Sequence, residues 1–188
     1  MKTNKYLYLA ILSLILVMSC SDDDSNPVPV NEEEVITTLI VSLNPTGVGT
    51  PITMESRDLD GDGPDAPVIT VSSAFEENMT YTGSLNLLNE TVTPAESIRE
   101  EIEEEDDEHQ FFFSSNNGLV STSYSDIDGD GNPVGLLFTL TTTSAGDGVF
   151  TVVLRHEPNK TAEGVSDGDI TNAGGETDIL VSFPISVE

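Results

Sequence analysis

Apolar and polar residues alternate along most of the chain beyond residue 34, which is the pattern of β-strands with one buried face. The clearest alternating runs are Val35 to Leu43, Tyr81 to Leu87, Leu136 to Leu140 and Phe150 to Leu154. Short clusters rich in Gly, Pro, Asn, Asp and Ser separate the runs, as at 44–47, 114–118 and 144–148. This pattern predicts a mostly β fold, an antiparallel β-sandwich of many short strands.

One segment breaks the alternation and predicts a single short helix. Thr93 can cap it, Pro94 suits the first helical position, and Ile98 and Ile102 share one face. The acidic run Glu100 to Glu108 then places negative charge at the C-terminal end, where the helix dipole disfavours it. We therefore expect the helix to end before the acidic run does.

The chain also has the pattern of an internal duplication. Asp58 to Gly63 (DLDGDG) is echoed 68 positions later by Asp126 to Gly131 (DIDGDG), and Pro-Val follows each copy. The repeat predicts a sandwich of two quasi-repeated halves, about 35–105 and 109–176, closed by a last strand at 177–187. Coincidence is the alternative, since Asp-Gly turns are common between strands.

The two Asp-rich loops are candidate calcium sites. Ca²⁺ takes about six to eight oxygen ligands, and Asp at alternate positions followed by Gly lets a tight loop direct its carboxylates to one centre. Ile69 and Leu137 occupy the place of the bidentate EF-hand Glu, so other donors must complete the shell. Metal-free turns are the alternative. The predicted ligands are Asp58, Asp60, Asp62 and Asp65 in the first loop, Asp126, Asp128, Asp130 and Asn132 in the second, and Glu90 or Glu157 as remote donors.

The two histidines suggest a different metal. His109 follows Glu108, and His156 precedes Glu157, so imidazole and carboxylate ligands for zinc or copper are available if the fold brings them together. The alternative is two ordinary hydrogen-bonded histidines. The acidic run before His109 has its own two interpretations, a solvated surface or a docking surface for a basic partner.

Composition excludes several classes of function. The chain carries 34 acidic and 6 basic residues and a formal net charge of −28, which repels nucleic acid. It has one cysteine and therefore no internal disulfide. It has no Gly-x-Ser-x-Gly, His-Glu-x-x-His or phosphate-loop motif, and no Trp to stack on a sugar. We therefore expect a protein that is not an enzyme.

The N-terminal segment has the features of a bacterial lipoprotein signal. Lys2 and Lys5 precede an apolar run at 6–18, and Val17 to Cys20 fits the pattern of small residues before an acylated cysteine. Lipid chains on Cys20 would anchor the protein to a membrane. The predicted organisation is a signal peptide at 1–19, a lipidated cysteine with an acidic flexible tether at 20–34, and the β-sandwich domain at 35–188.

Several motifs carry a family resemblance over most of the chain. They are Ser21 to Asp24 after the cysteine, Arg57 to Gly63, Asn89 to Thr91, Glu108 to Phe111 and Leu154 to Pro158. In these motifs the chain resembles small uncharacterised outer-membrane lipoproteins of Bacteroidota. The resemblance implies a lipid-anchored, surface-exposed protein of the outer membrane. Some members are labelled as type 1 periplasmic-binding folds, but that fold needs two lobes of alternating strands and helices, and one predicted helix does not fit it.

These features together predict a non-enzymatic surface lipoprotein with a calcium-stabilised β-sandwich that serves as a binding or structural module. Its partners would be the membrane, through the lipid anchor, and a protein or small ligand that the sequence does not identify. The alternative function is a lipoprotein that captures a ligand or metal for an outer-membrane transporter, with His109 and His156 at its centre.

Overall fold

The alternating pattern forms ten β-strands and one α-helix in the part of the chain that the structure, a computed structural model, describes: residues 34–61 and 63–188. The predicted signal peptide, Cys20, most of the tether, and Asp62 lie outside these residues. The strands are β1 (Thr38–Pro45), β2 (Ile52–Arg57), β3 (Val68–Val71), β4 (Thr80–Asn89), β5 (Glu96–Ser97), β6 (His109–Ser115), β7 (Val120–Tyr124), β8 (Leu137–Thr142), β9 (Gly146–His156) and β10 (Glu176–Val187). The helix is α1 (Ile98–Glu104), and 3-10 turns lie at Asn116–Gly118, Val165–Asp167 and Ile170–Asn172.

Two antiparallel sheets pack against each other, which confirms the predicted β-sandwich. The larger sheet has the strand order β3-β2-β1-β4-β8-β7, with β5 paired to the end of β4. The smaller sheet has the order β10-β9-β6. No helix in the described part of the chain has the length and apolar character needed to cross a membrane.

The core lies between the two sheets and is built from the apolar positions of the alternating runs. The larger sheet contributes Val41, Leu85 and Phe138, and the smaller sheet contributes Phe111 and Leu154, all of them buried. Because successive residues of a strand point to opposite faces, each run buries every second residue and leaves the others toward solvent. This burial is the main force that holds the sandwich together.

The predicted duplication is not confirmed by the topology. Both Asp-rich loops do join neighbouring antiparallel strands, β2 to β3 and β7 to β8, and the pair β1–β4 has a counterpart in β6–β9. However, β1 pairs with β2, whereas β6 and β7 belong to different sheets. The two halves therefore do not repeat one arrangement of strands.

The helix begins at Ile98, so the predicted start at Pro94 is wrong. Glu96 and Ser97 form β5 and pair with the end of β4. This pairing holds the segment in an extended conformation, which a helical first turn cannot adopt. As predicted, both isoleucines of α1 are buried, and the helix ends at Glu104, inside the acidic run.

The connection between β9 and β10, residues 157–175, covers the outer face of the smaller sheet. Phe112 points to this face and packs with Val165 and Ala173 in a second, smaller apolar cluster. Lys160 in the same connection is buried. β6 begins and β9 ends at the same end of the sandwich. The connection covers one side of that end.

Candidate metal centre

The two histidines face each other at the end of the smaller sheet. His109 begins β6, His156 ends β9, and the two are directly opposite in the antiparallel register. His109 lies two residues from the core residue Phe111 and therefore shares its inward face. The N–H of Glu157 donates to the carbonyl of Glu108 (2.6 Å), which makes the histidine pair a non-hydrogen-bonded pair, the type with the closest side chains. The imidazole rings stack with centroids 4.6 Å apart and planes 20° apart.

His109 is held by a hydrogen bond at each ring nitrogen. Nδ1 lies 3.0 Å from the carbonyl oxygen of Glu105, just after α1. Because a carbonyl only accepts, Nδ1 carries a hydrogen, and Nε2 is the nitrogen that faces the site. Nε2 lies 2.7 Å from Oε1 of Glu34, the residue four positions before β1.

The pKa values of this pair describe a buried ion pair. Burial acts to lower the pKa of His109, but the hydrogen bonds to Glu34 and to the carbonyl of Glu105 outweigh it, so the pKa lies above its usual value. Burial acts to raise the pKa of Glu34, but the hydrogen bond and the charge of His109 outweigh it, so the pKa lies below its usual value. Both shifts favour a protonated His109 beside an ionised Glu34.

Asp178 reaches the site from β10 through an irregularity of the strand. The register between β10 and β9 shifts between Thr177 and Ile179, so Asp178 occupies a β-bulge. A bulge redirects a side chain, and here it places Oδ1 of Asp178 4.0 Å from Nδ1 of His156. Burial and the charge of Glu34 raise the pKa of Asp178 to about 6, although both histidines act to lower it.

The side chains of Glu34, His109, His156 and Asp178 form one compact group of candidate metal ligands. Each offers one nitrogen or oxygen, and the four atoms lie within 4.8 Å of one another. The side chains are 7% (Glu34), 0% (His109), 6% (His156) and 3% (Asp178) exposed. Oε2 of Glu34 and Oδ2 of Asp178 are buried and have no hydrogen-bond partner among the described residues, which is costly for a carboxylate. Two imidazole nitrogens and two carboxylate oxygens fit zinc or copper.

Metal binding requires a small rearrangement of this group. Ligand atoms around a tetrahedral zinc ion lie roughly 3.4 Å apart, so any pair of ligand atoms near the 4.8 Å limit must move closer together. The stacked rings cannot both direct a nitrogen at one ion, and one of them must turn. His156 is the ring less firmly held among the described residues, because the carboxylate oxygens of Glu108 and Asp178 stand 3.6 Å from Nε2 and 4.0 Å from Nδ1, beyond hydrogen-bond length.

A second, outer group overlaps the first. Glu108, His156 and Glu157 each offer an atom within 4.8 Å of the others, and Oε2 of Glu108 is the oxygen 3.6 Å from His156 Nε2. Glu108 and Glu157 are exposed. All four residues predicted as transition-metal ligands, His109 among them, therefore lie at this end of the sandwich, divided between a buried and an exposed group.

Asp126, predicted as a calcium ligand, has both carboxylate oxygens occupied by backbone donors. The N–H of Gly135 donates to Oδ1 (2.8 Å), and the N–H of Leu137 donates to Oδ2 (2.9 Å). The side chain thus holds the end of the loop against the start of β8.

Asp128 is likewise surrounded by hydrogen donors. Oδ1 accepts from the N–H groups of Asp130 (3.0 Å) and Asn132 (2.8 Å), and Oδ2 lies 2.9 Å from Nζ of the buried Lys160. Burial acts to raise the pKa of Asp128, but Lys160 and the backbone N–H groups outweigh it and lower the pKa. The carbonyl of Asn132, another predicted calcium ligand, accepts a hydrogen bond from the N–H of Asp128 (2.8 Å).

The first loop lies at the exposed edge formed by β2 and β3. Oδ2 of Asp60 accepts from the N–H of Asp65 (3.2 Å), and Oδ1 of Asp58 is buried with no partner among the residues that the structure describes. These three residues line a shallow surface cavity. Among the residues that the structure describes, which exclude Asp62, the carboxylates of neither loop form a group of three within ligand distance of one another. Calcium binding at the loops stays a prediction.

Glu90, predicted as a remote calcium donor, is bound by an arginine. Arg57 Nε lies 2.8 Å from Oε1 and Nη2 lies 2.6 Å from Oε2, and the hydroxyl of Thr38 also donates to Oε1 (2.5 Å). This arrangement is a bidentate pair between β2 and the end of β4, a structural contact rather than a free ligand.

Sequence reasoning missed two of the four residues in the buried group. Glu34 was expected at the end of the tether, but its carboxylate is bound inside the domain, so the folded part begins at least one residue earlier than predicted. Asp178 follows Glu176 and Thr177 in the polar start of β10, so the local pattern does not mark it as a residue that faces inward. The bulge that turns it inward has no signature of its own in the sequence.

Comparisons of the chain with protein-family models, with curated proteins and with solved structures give no match. The resemblance to Bacteroidota lipoproteins therefore stays a prediction. The function has to be argued from the site itself.

Proposed function

We propose that the protein is a non-enzymatic, lipid-anchored protein that captures a divalent transition-metal ion, zinc or copper, at the buried end of its β-sandwich. One observation carries the proposal. Glu34, His109, His156 and Asp178 come from four separate segments and converge in one buried group, and two of their carboxylate oxygens have no partner within residues 34–61 and 63–188. Apolar side chains would fill this end of the core without that cost.

The hydrogen bonds of His109 suit a metal ligand. A histidine that binds a metal usually donates its other ring N–H to a backbone carbonyl or a carboxylate, which fixes the ring and its tautomer. The carbonyl of Glu105 accepts from Nδ1 in this way and leaves Nε2 directed at Glu34. A metal ion would replace the proton shared by Nε2 and Glu34, and both groups would become its ligands.

The net charge of the four ligand side chains matches that of a divalent ion. Two ionised carboxylates with two neutral imidazoles carry a charge of about −2, which one divalent cation balances. The two nitrogen ligands favour copper or zinc over calcium or magnesium, which prefer oxygen ligands. The high negative charge of the whole chain raises the local concentration of cations.

The proposed location rests on the predicted lipoprotein signal before Cys20. A lipid-anchored domain on the outer membrane would hold the bound ion close to a transporter in the same membrane. The absence of a recognisable nucleophile or nucleotide motif in the sequence is consistent with capture rather than catalysis.

Calcium binding at the first Asp-rich loop is a second proposal, independent of the first. It is supported by the buried oxygen of Asp58, which lies beside Asp60 and Asp65 and has no partner in the described part of the chain. Its role would be to stabilise the loop between β2 and β3.

A titration of the full-length chain, purified in a mild detergent, tests the transition-metal site. We expect one Cu²⁺ or Zn²⁺ ion per chain by calorimetry, and nitrogen coupling in the electron paramagnetic resonance spectrum of the copper form. His109 and His156 are the only histidines in the chain, so His109→Ala and His156→Ala should each abolish stoichiometric binding. Asp178→Asn should weaken binding, whereas Asp147→Asn, an exposed residue with the same change of charge, should not. One-to-one binding that persists in both histidine variants would contradict the proposal.

A further inference from the structure

The buried, inner group (Glu34, His109, His156 and Asp178) and the exposed, outer group (Glu108, His156 and Glu157) share one residue, His156. Its two ring nitrogens are directed to different groups. Nε2 faces Glu108 of the outer group at 3.6 Å, and Nδ1 faces Asp178 of the inner group at 4.0 Å. A single imidazole thus lies between solvent-exposed carboxylates and buried ones.

Glu108 and Glu157 are placed together at a cost. They are the next opposite pair after the two histidines, as the hydrogen bond from Glu157 N–H to the Glu108 carbonyl shows. Two like charges directly opposite each other destabilise a sheet. In a regular strand Glu157 would also point away from the face of His156. The φ of Glu157, 49°, breaks that alternation. A positive φ costs a non-glycine residue energy, and residues strained in this way cluster at functional sites.

The accessibility of the two groups differs sharply. The side chains of Glu34, His109 and Asp178 are buried, whereas that of Glu108 is 49% exposed. An ion from solvent can meet Glu108 and Glu157 without any movement of the fold. The inner carboxylates are buried, so an ion reaches them only after some of the surrounding side chains move.

We propose that Glu108 and Glu157 form an outer docking site for the incoming divalent ion, and that His156 transfers the ion from them to Glu34, His109 and Asp178. This inference rests on the proposed transition-metal site. In the outer step, Nε2 of His156 and the two exposed carboxylates hold the ion. Rotation of the ring then presents a nitrogen to the inner carboxylates, and the ion exchanges the outer ligands for the inner ones. The outer pair acts on the rate of uptake and release rather than on the affinity of the final site.

Stopped-flow kinetics on the full-length chain, with Zn²⁺ and a competing chromophoric chelator, test this path. The double variant Glu108→Gln/Glu157→Gln should slow association about tenfold, because local charge concentrates the ion at its entrance. It should slow dissociation by a similar factor, because the departing ion loses the ligands that take it over from His156. The dissociation constant should change less than threefold, since both rates fall together. The control is Glu100→Gln/Glu163→Gln, which removes the same charge at two exposed positions elsewhere and should leave both rates near those of the unmodified chain.

Each other outcome overturns the inference in a recognisable way. Faster dissociation with unchanged association would make the outer glutamates ligands of the final site. Equal rates in the outer variant and the control would remove any role for them in uptake, while leaving the buried site intact. If the unmodified chain binds no ion, the proposed function itself is wrong and the path falls with it.

Discussion

Lys160 and Asp128 form a buried ion pair, with Nζ and Oδ2 2.9 Å apart, although 32 positions separate them along the chain. The same ammonium donates to the carbonyl oxygen of Asp106. Lys160 thus joins three segments: the turn after α1, the second Asp-rich loop, and the connection from β9 to β10. These segments lie around the end of the sandwich that carries the two histidines.

Removing either member of this pair should destabilise the domain strongly. Lys160→Met leaves the carboxylate of Asp128 buried without its cation, and such losses cost about 3–5 kcal/mol. Urea unfolding of the single variants and of Lys160→Met/Asp128→Asn measures the effect. The double variant should recover part of the loss, because it no longer leaves a single buried charge. Additive losses in the double variant would show that the two residues do not interact.

Asp126 offers a test of the calcium prediction at the second loop. Asp126→Ala removes the acceptor for two backbone N–H groups, those of Gly135 and Leu137, and should cost about 1–3 kcal/mol of unfolding free energy. Because this cost comes from hydrogen bonds, the loss should be the same in EDTA and in millimolar Ca²⁺. Thermal unfolding in both conditions measures it. A loss confined to the Ca²⁺ condition would instead establish Asp126 as a calcium ligand.

Local patterns predicted much of the fold and little of the site, and the reason is physical. Leu136, Phe138 and Leu140 could be assigned to the core because alternation is a property of one strand. The meeting of His109 and His156 depends on β6 pairing with β9, and the hairpin β7–β8, which joins the other sheet, lies between them in the chain. No local pattern encodes such a pairing.

The pair Glu90–Arg57 gives a prediction about pH. Hydrogen bonds from Arg57 and Thr38, together with the charge of Arg57, lower the pKa of Glu90 to about 2, and they outweigh the opposing effect of burial. The unfolded chain, in which the carboxyl has its ordinary pKa, therefore binds its proton first as the pH falls. The pair's contribution to stability is complete above about pH 4.5 and is lost as the pH falls towards 2.

The variant Glu90→Gln isolates this contribution. Urea unfolding of the variant and of the unmodified chain should differ most at neutral pH, with the unmodified chain more stable, and the difference should shrink between pH 4.5 and 2. The variant Glu163→Gln, at an exposed glutamate outside the two metal groups, provides a control for the general effect of acid. A difference that stays constant over this range would exclude an ionised Glu90 as the source of the stabilisation.

Gly83 is required for close packing in the larger sheet. It lies directly opposite Phe138 in the β4–β8 pair, and a Cβ at this position would come within 2.4 Å of the phenyl ring. Gly83→Ala therefore forces the ring of Phe138 out of a packed core and should cost about 1–3 kcal/mol, even though alanine suits a strand better than glycine does. The double variant Gly83→Ala/Phe138→Leu, measured by urea unfolding against Phe138→Leu alone, should show a smaller cost of the added methyl group, because leucine vacates the space above position 83. An equal cost in both backgrounds would mean that the ring does not set the requirement for glycine.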